Sequence, residues 1–394
     1  MNGNWAPGRD YSAVPPPPRL SFDDYLQGIL AHDRLVLARA ITLIESSLPD
    51  QQEMARELVT RVLPHAGRSI RIGLTGAPGV GKSALIEAFG RFLTAHGHRV
   101  AVLSIDPSSE RSGGSLLGDK TRMVKLSTDP NAFIRPMPNG LVLGGIARQT
   151  RETMLVCEAA GYDIIVIETV GVGQSEVRVA EMTDFLLVLM LAGAGDELQG
   201  IKRGLLELAD LIAIAKADGG NVIPAKLAAS KYAYAMHLLA DPEQGMAPVI
   251  TCSALDGTGL EEIWKIISER TAERERSGYL HTRRNEQNIN WMWSLVDQHI
   301  HDMLHQRPAV DSVARSAAAQ VRVGVLSPIM AADTIISALF AEGVAAGTAG
   351  GVGHPLTAAD GTVTLPCEER ERSTPYGFSS RRDGLAPRGH RRGA

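Results

Sequence analysis

The sequence predicts an α/β domain, a mostly parallel sheet flanked by helices, with a helical extension before it and a helical arm after it. Three observations carry this expectation. From Ile70 the chain alternates short apolar runs, "IRIGL", "VAVLSI", "DIIVIE", "FLLVLML", "LIAIA" and "PVIT", with amphipathic stretches. The runs are bounded by glycine and aspartate, as strands in βα units are. They are mostly apolar rather than alternating, the mark of strands covered on both faces. Residues 1–20, rich in proline ("VPPPP"), read as a disordered lead-in. Residues 21–69 read as the helical extension: "SFDDYLQGIL" opens on a serine cap with acidic residues in its first turn, and "LVLARAITLIESSL" follows at helical spacing. The α/β domain is expected over 70–274. Residues 275–340 return to helical spacing in "NEQNINWMWSLVDQHIHDML" and to a Ser-Pro helix opening in "SPIMAADTIISALF". The Gly-, Ala- and Arg-rich residues 341–394 read as a disordered tail.

At 394 residues the chain is long enough for a large core with appendages. A formal net charge of -4, with 44% hydrophobic and 21% charged residues, gives no global attraction to nucleic acid or an anionic membrane. Cys157, Cys252 and Cys367 are widely spaced and form no CxxC pair, which suggests neither a disulfide framework nor a thiolate metal site and fits a reducing cytoplasm. No signal peptide is evident, and the run "FLLVLMLA" falls far short of the ~20 residues that span a bilayer.

The chemistry begins at "GLTGAPGVGKSALIEAF", where Gly76, Gly81, Lys82 and Ser83 form the pattern GxxxxGKS between a strand and a helical run. That pattern, in that context, is expected to form a phosphate-binding loop. Glycines let successive N–H groups curl around an anion at a helix N-terminus. Gly76, Ala77, Pro78, Gly79, Val80, Gly81, Lys82, Ser83 and Ala84 are therefore the expected phosphate binders, with Lys82 reaching the terminal phosphates and Ser83 binding Mg²⁺. Asp106 and Glu168 end two further strands, facing the ligand crevice of an open α/β sheet, and are candidates for Mg²⁺. Asp119 lies in the Gly-rich stretch after Asp106 and can approach the metal on closure. In "GDELQGIKRG", Gln199 can orient water and Lys202 can offset developing charge.

"LIAIAKADGG" supplies Lys216 and Asp218, and "VITCSALDGTGLEEIW" supplies Ser253, Ala254 and Leu255, after successive strands. They match the base-reading loops of a GTPase, in which an aspartate accepts from the N1 and N2 groups of guanine that adenine lacks. Ala215 stands where such loops normally carry asparagine, so GTP is expected to be preferred over ATP with looser affinity.

With these residues assembled, residues 21–340 resemble the MeaB/ArgK family of P-loop GTPases. The specific stretches are "GAPGVGKS", "IDPSSERSGGSLLGDKTRM", "FIRPMPNGLVLGGIARQT", "ETVGVGQSE" and "GDELQGIKRG". The resemblance implies GTP hydrolysis with GTP/GDP and Mg²⁺ bound. It also implies homodimerisation through C-terminal helical arms and partnership with an adenosylcobalamin-dependent acyl-CoA mutase, chiefly methylmalonyl-CoA mutase. The family gates cofactor loading and protects the mutase. It puts Asp106, Asp119 and Glu168 in the metal and switch region and Gln199 and Lys202 in an additional switch loop. The departures are Ala215, "MPNGLVLGG" where serine-rich residues are usual, and the tail after Phe340. Two other function classes were open to the sequence. An ATP-dependent kinase of an arginine/ornithine transport system needs a site for a protein hydroxyl, and no residues supply one. Metallochaperone GTPases, which share the fold class, often carry His-rich or CxxC metal sites, and the 11 histidines form no dense tract.

Overall fold

Local signals set where the first helices start. The computed structural model describes residues 20–105, 123–137, 145–169, 175–193, 203–239 and 246–347. Helix α1, Phe22–Leu30, is opened by Ser21, whose hydroxyl and backbone pair reciprocally with Asp24. Asp33 caps α2, Arg34–Ile44, and proline at the first position opens α3, Pro49–Val62.

The α/β region then runs β1 (Ile70–Gly76), α4 (Lys82–Ala95), β2 (Val100–Ile105), the short α5 (Val124–Ser127) and β3 (Ala132–Met137). It continues through α6 (Gly145–Ala159), β4 (Ile164–Thr169), α7 (Ser175–Ala180), β5 (Phe185–Leu191) and α8 (Arg203–Leu208). It closes with β6 (Leu211–Ala215), α9 (Val222–Leu239), β7 (Val249–Thr251) and α10 (Leu260–Arg276). The seven strands form one sheet in the order β3-β2-β4-β1-β5-β6-β7, and every described pairing is parallel.

Strand residues of alternate parity enter two cores, as the two-residue side-chain period requires. Ile165, Ile167, Leu186, Val188 and Met190 face α1–α3, α6, α8 and α9, whereas Ile164, Val166, Phe185, Leu187 and Leu189 face α4 and α10. The predicted strands are all present, and β3 is an addition to them. It is an edge strand carrying Pro136, the position in a sheet that tolerates a residue without an N–H.

Helix α11 (Tyr279–Gln306) follows, then α12 (Pro308–Arg322) and α13 (Pro328–Gly347), which runs past Phe340. The chain divides into two compact units, up to Asp311 and from Ser312. In the first unit the start of α11 is fastened beneath the sheet. Arg284 pairs with Asp184 through Nε at 2.8 Å and Nη2 at 2.5 Å, while its Nη1 and Nη2 donate to Gly67 O and Ser69 O. Arg71 pairs with Glu158 beside them.

Candidate nucleotide-binding site

All of the described site residues lie at the C-terminal ends of β1, β4, β6 and β7, the edge where open α/β sheets bind ligands. β1 ends on Gly76 with φ +148°, and Gly79 and Gly81 also take positive φ, +77° and +106°. A Cβ at Gly76 would stand 2.4 Å from the Leu189 carbonyl oxygen of β5, so only glycine lets the loop leave the strand pressed against its neighbour. Gly81 precedes α4 and provides no side-chain cap. The first N–H groups of α4 therefore have no acceptor within the helix and point, with its dipole, into the loop. Lys82 is buried and donates from Nζ to Gly76 O at 2.6 Å and Ala77 O at 3.1 Å, which holds a cation inside the loop's curl.

Glu168 lies beside that loop. Register places it opposite Ser104 of β2 and Leu74 of β1. Ser83 Oγ donates to Glu168 Oε1 at 3.0 Å, and Ser104 Oγ donates to Oε2 at 3.1 Å. Both carboxylate oxygens are thus engaged by hydroxyls from opposite sides, in a site where Glu168 is 5% exposed. A hydroxyl and a carboxylate at this separation supply the hard oxygen donors that Mg²⁺ prefers, with water and phosphate oxygens completing its shell. Among the described residues no three His, Cys, Asp or Glu side chains gather into a metal-binding group.

The base loops meet on the other side of the phosphate loop. Lys216 adopts φ +58° and its Nζ donates to Gly79 O at 2.9 Å, which ties the loop after β6 to the phosphate loop. Asn221 stabilises that backbone: its Nδ2 donates to Lys216 O at 2.7 Å and its N–H to Asp218 O at 2.9 Å. Ser253 Oγ donates to Asp218 Oδ2 at 2.7 Å and accepts from the Leu255 N–H at 3.1 Å, which orients the carboxylate. The Ala217 N–H donates to Cys252 O and joins the two loops. Burial pushes the Cys252 thiol up to about 12, so it stays neutral beside them. The N–H of Thr258 holds the Asp256 carboxyl below the usual range. Ala254 is half-buried and the Leu255 side chain is exposed. Ala215, at the position where base-reading loops normally carry asparagine, is 6% exposed and packs its methyl into the core.

Gly76 to Ala84, Glu168, Lys216, Asp218 and Ser253 to Leu255 are therefore brought to one edge. Asp106, Asp119, Gln199 and Lys202 lie outside the described residues. Ser104 and Asn221 are additions to the expected set. Ser104 reads as one more small residue in an apolar run, and its contact with Glu168 arises from strand register alone.

Comparison with known proteins agrees with this geometry. The family model described as methylmalonyl-CoA mutase-associated GTPase MeaB matches residues 37–309. A Mycobacterium tuberculosis protein named probable GTPase is 48% identical over 320 residues, covering 80% of this chain and 95% of its own. The methylmalonic aciduria type A homolog, mitochondrial, of Mus musculus is 44% identical over 327 residues, 80% of this chain and 79% of its own. A crystal structure of an LAO/AO transport system kinase aligns with a TM-score of 0.64 at 36% identity, covering 80% of this chain and 96% of that one. This chain belongs to the MeaB family and is a P-loop GTPase.

Proposed function

We propose that this GTPase acts as a nucleotide-gated chaperone of an adenosylcobalamin-dependent acyl-CoA mutase, most directly methylmalonyl-CoA mutase, and works as a homodimer in the cytoplasm. The observation that carries the nucleotide part is the pair of ties through the phosphate loop, Ser83 to Glu168 and Lys216 to Gly79, with Asp218 held by Ser253. The partner is supported by the family's description and by the mouse relative's name.

In this reading the N–H groups of Gly76 to Ala84 bind the phosphates, and the Lys82 ammonium moves from loop carbonyls to phosphate oxygens. Bound Mg²⁺ supplies charge neutralisation to the phosphates, and Ser83 with Glu168 would hold it, joined by Asp106. Asp119 completes that region on closure, Gln199 orients water and Lys202 offsets charge. Asp218 accepts from N1–H and N2–H of guanine, while Ser253, Ala254 and Leu255 border the base.

The dimer is supported by α11. Ile289, Met292, Trp293, Val296 and Ile300 recur at helical spacing and are all exposed, with Trp293 58% exposed. That is an apolar stripe suited to a second copy. Among the described residues no helix is long and apolar enough to cross a membrane.

The test is capture of purified methylmalonyl-CoA mutase on the immobilised chain loaded with GDP or with a nonhydrolysable GTP analogue. Retention that differs between the two states is expected. Retention in neither state would contradict the proposed partnership.

A further inference from the structure

We infer that the first compact unit carries a second anion site, distinct from the nucleotide edge, in a cavity of about 230 Å³ between α6, α7 and α11. Its walls include Arg148, Arg151, Arg178, Glu181, Asn290 and Trp291, three cations against one carboxylate. Arg148 is paired with a carboxylate in the usual way, but among the described residues Arg151 and Arg178 are not. Arg151 is only 8% exposed, yet its Nη1 and Nη2 donate to main-chain carbonyls, Gln287 O at 2.9 Å and Glu181 O at 2.7 Å. A buried guanidinium ordinarily faces a carboxylate. Desolvation, with the nearby charge of Arg71, brings its pKa down to about 10, the direction expected of a cation short of counter-charge. Arg148 shares one carboxylate, Glu152, through Nε at 2.9 Å. Among the described residues Arg178 has neither an ion pair nor a hydrogen bond.

Polar groups along the same seam are short of partners too. Trp291 Nε1 in the wall and Gln287 Oε1, on the α11 residue whose carbonyl takes Arg151, are buried without a hydrogen-bond partner among the described residues. Native interiors rarely leave such atoms unpaired unless an ion or water serves them. The guanidinium donors exceed the acceptors in the wall, and the geometry is suited to planar, forked pairing with an oxyanion. A water's share of liquid volume is about 30 Å³, so the space admits a phosphate or a short dicarboxylate with its waters. Such an anion would bridge α7, which follows the loop after Glu168, to α6 and α11. The inference does not depend on the nucleotide reading.

The experiment is a titration of the full chain with inorganic phosphate and, separately, malonate, with GDP and Mg²⁺ present, following indole fluorescence and melting temperature. Sodium chloride at equal ionic strength is the control. A saturable response to either oxyanion is expected, weakened by about tenfold or more in Arg178→Gln and again in Arg148→Gln, and unchanged in Lys82→Ala. Arg178 is partly exposed, and the melting curve without anion shows whether the variant folds. A response that persists in Arg178→Gln and Arg148→Gln but disappears in Lys82→Ala would assign the anion to the phosphate loop and overturn the site. Absence of any saturable response would overturn it as well.

Discussion

Asp218 is the residue on which base choice rests. Ser253 already orients its carboxylate, so little ordering remains to be done when guanine arrives. Adenine would offer that carboxylate neither the N1–H nor the N2–H donor of guanine, at a cost of ~1–3 kcal/mol. Asp218→Ala is therefore expected to weaken GTP and GDP binding by roughly ten- to a hundredfold and to leave the weak binding of ATP unchanged, read by competition titration. Ser104 acts one step away from the phosphates. Its hydroxyl holds Glu168 Oε2, leaving Oε1 toward Ser83. Ser104→Ala removes a hydrogen bond to a charged group, ~1.5 kcal/mol, so GTP turnover should fall about tenfold and require more Mg²⁺, measured across a Mg²⁺ series. The phosphate loop and the KxD loop were legible because backbone geometry and charge fix those residue types locally. Ser104 and Asn221 were not, since their importance comes from strand register and from the αL turn at Lys216, which no spacing rule announces.

At the scale of elements, the sheet was readable in its buried strands and obscured at its edge. β5 is apolar along its length, and β4 up to Ile167, because helices cover both faces. β3 carries Arg135 and Pro136 and resembles a loop, yet it pairs with β2 throughout, from Val100 opposite Ala132 to Ile105 opposite Met137. Proline costs little where no further strand follows. The attachment of α11 was equally hidden, because it depends on contacts between residues about a hundred positions apart. Arg284 meets an Asp184 side chain that is 1% exposed. Removing one partner of such a pair leaves a charge buried. Arg284→Met should therefore lower unfolding stability by about 3 kcal/mol in urea titration, whereas a stability change below about 1 kcal/mol would show that the Arg71 backbone N–H suffices for Asp184.

The whole molecule joins a nucleotide edge to an apolar arm. Among the described residues of the first unit the stripe from Ile289 to Ile300 is left exposed, and Trp293 is its largest member. A chain dimerising through it should sediment at twice the monomer mass. Trp293→Glu should shift the equilibrium to monomer at micromolar concentration while leaving GDP affinity unaltered, measured by light scattering and nucleotide titration. In the proposed function a slow GTPase site is regulated by an adenosylcobalamin-dependent mutase. A switch completed from outside is the usual way such turnover is raised. The most direct measurement is the single-turnover rate of phosphate release from GTP by the full chain, with and without purified methylmalonyl-CoA mutase. If the mutase completes the switch, slow release should accelerate by about tenfold or more on adding it, a threshold well below the gains that trans-acting groups give GTPases. An unchanged rate at saturating mutase, or labelled γ-phosphate recovered on a protein, would contradict it.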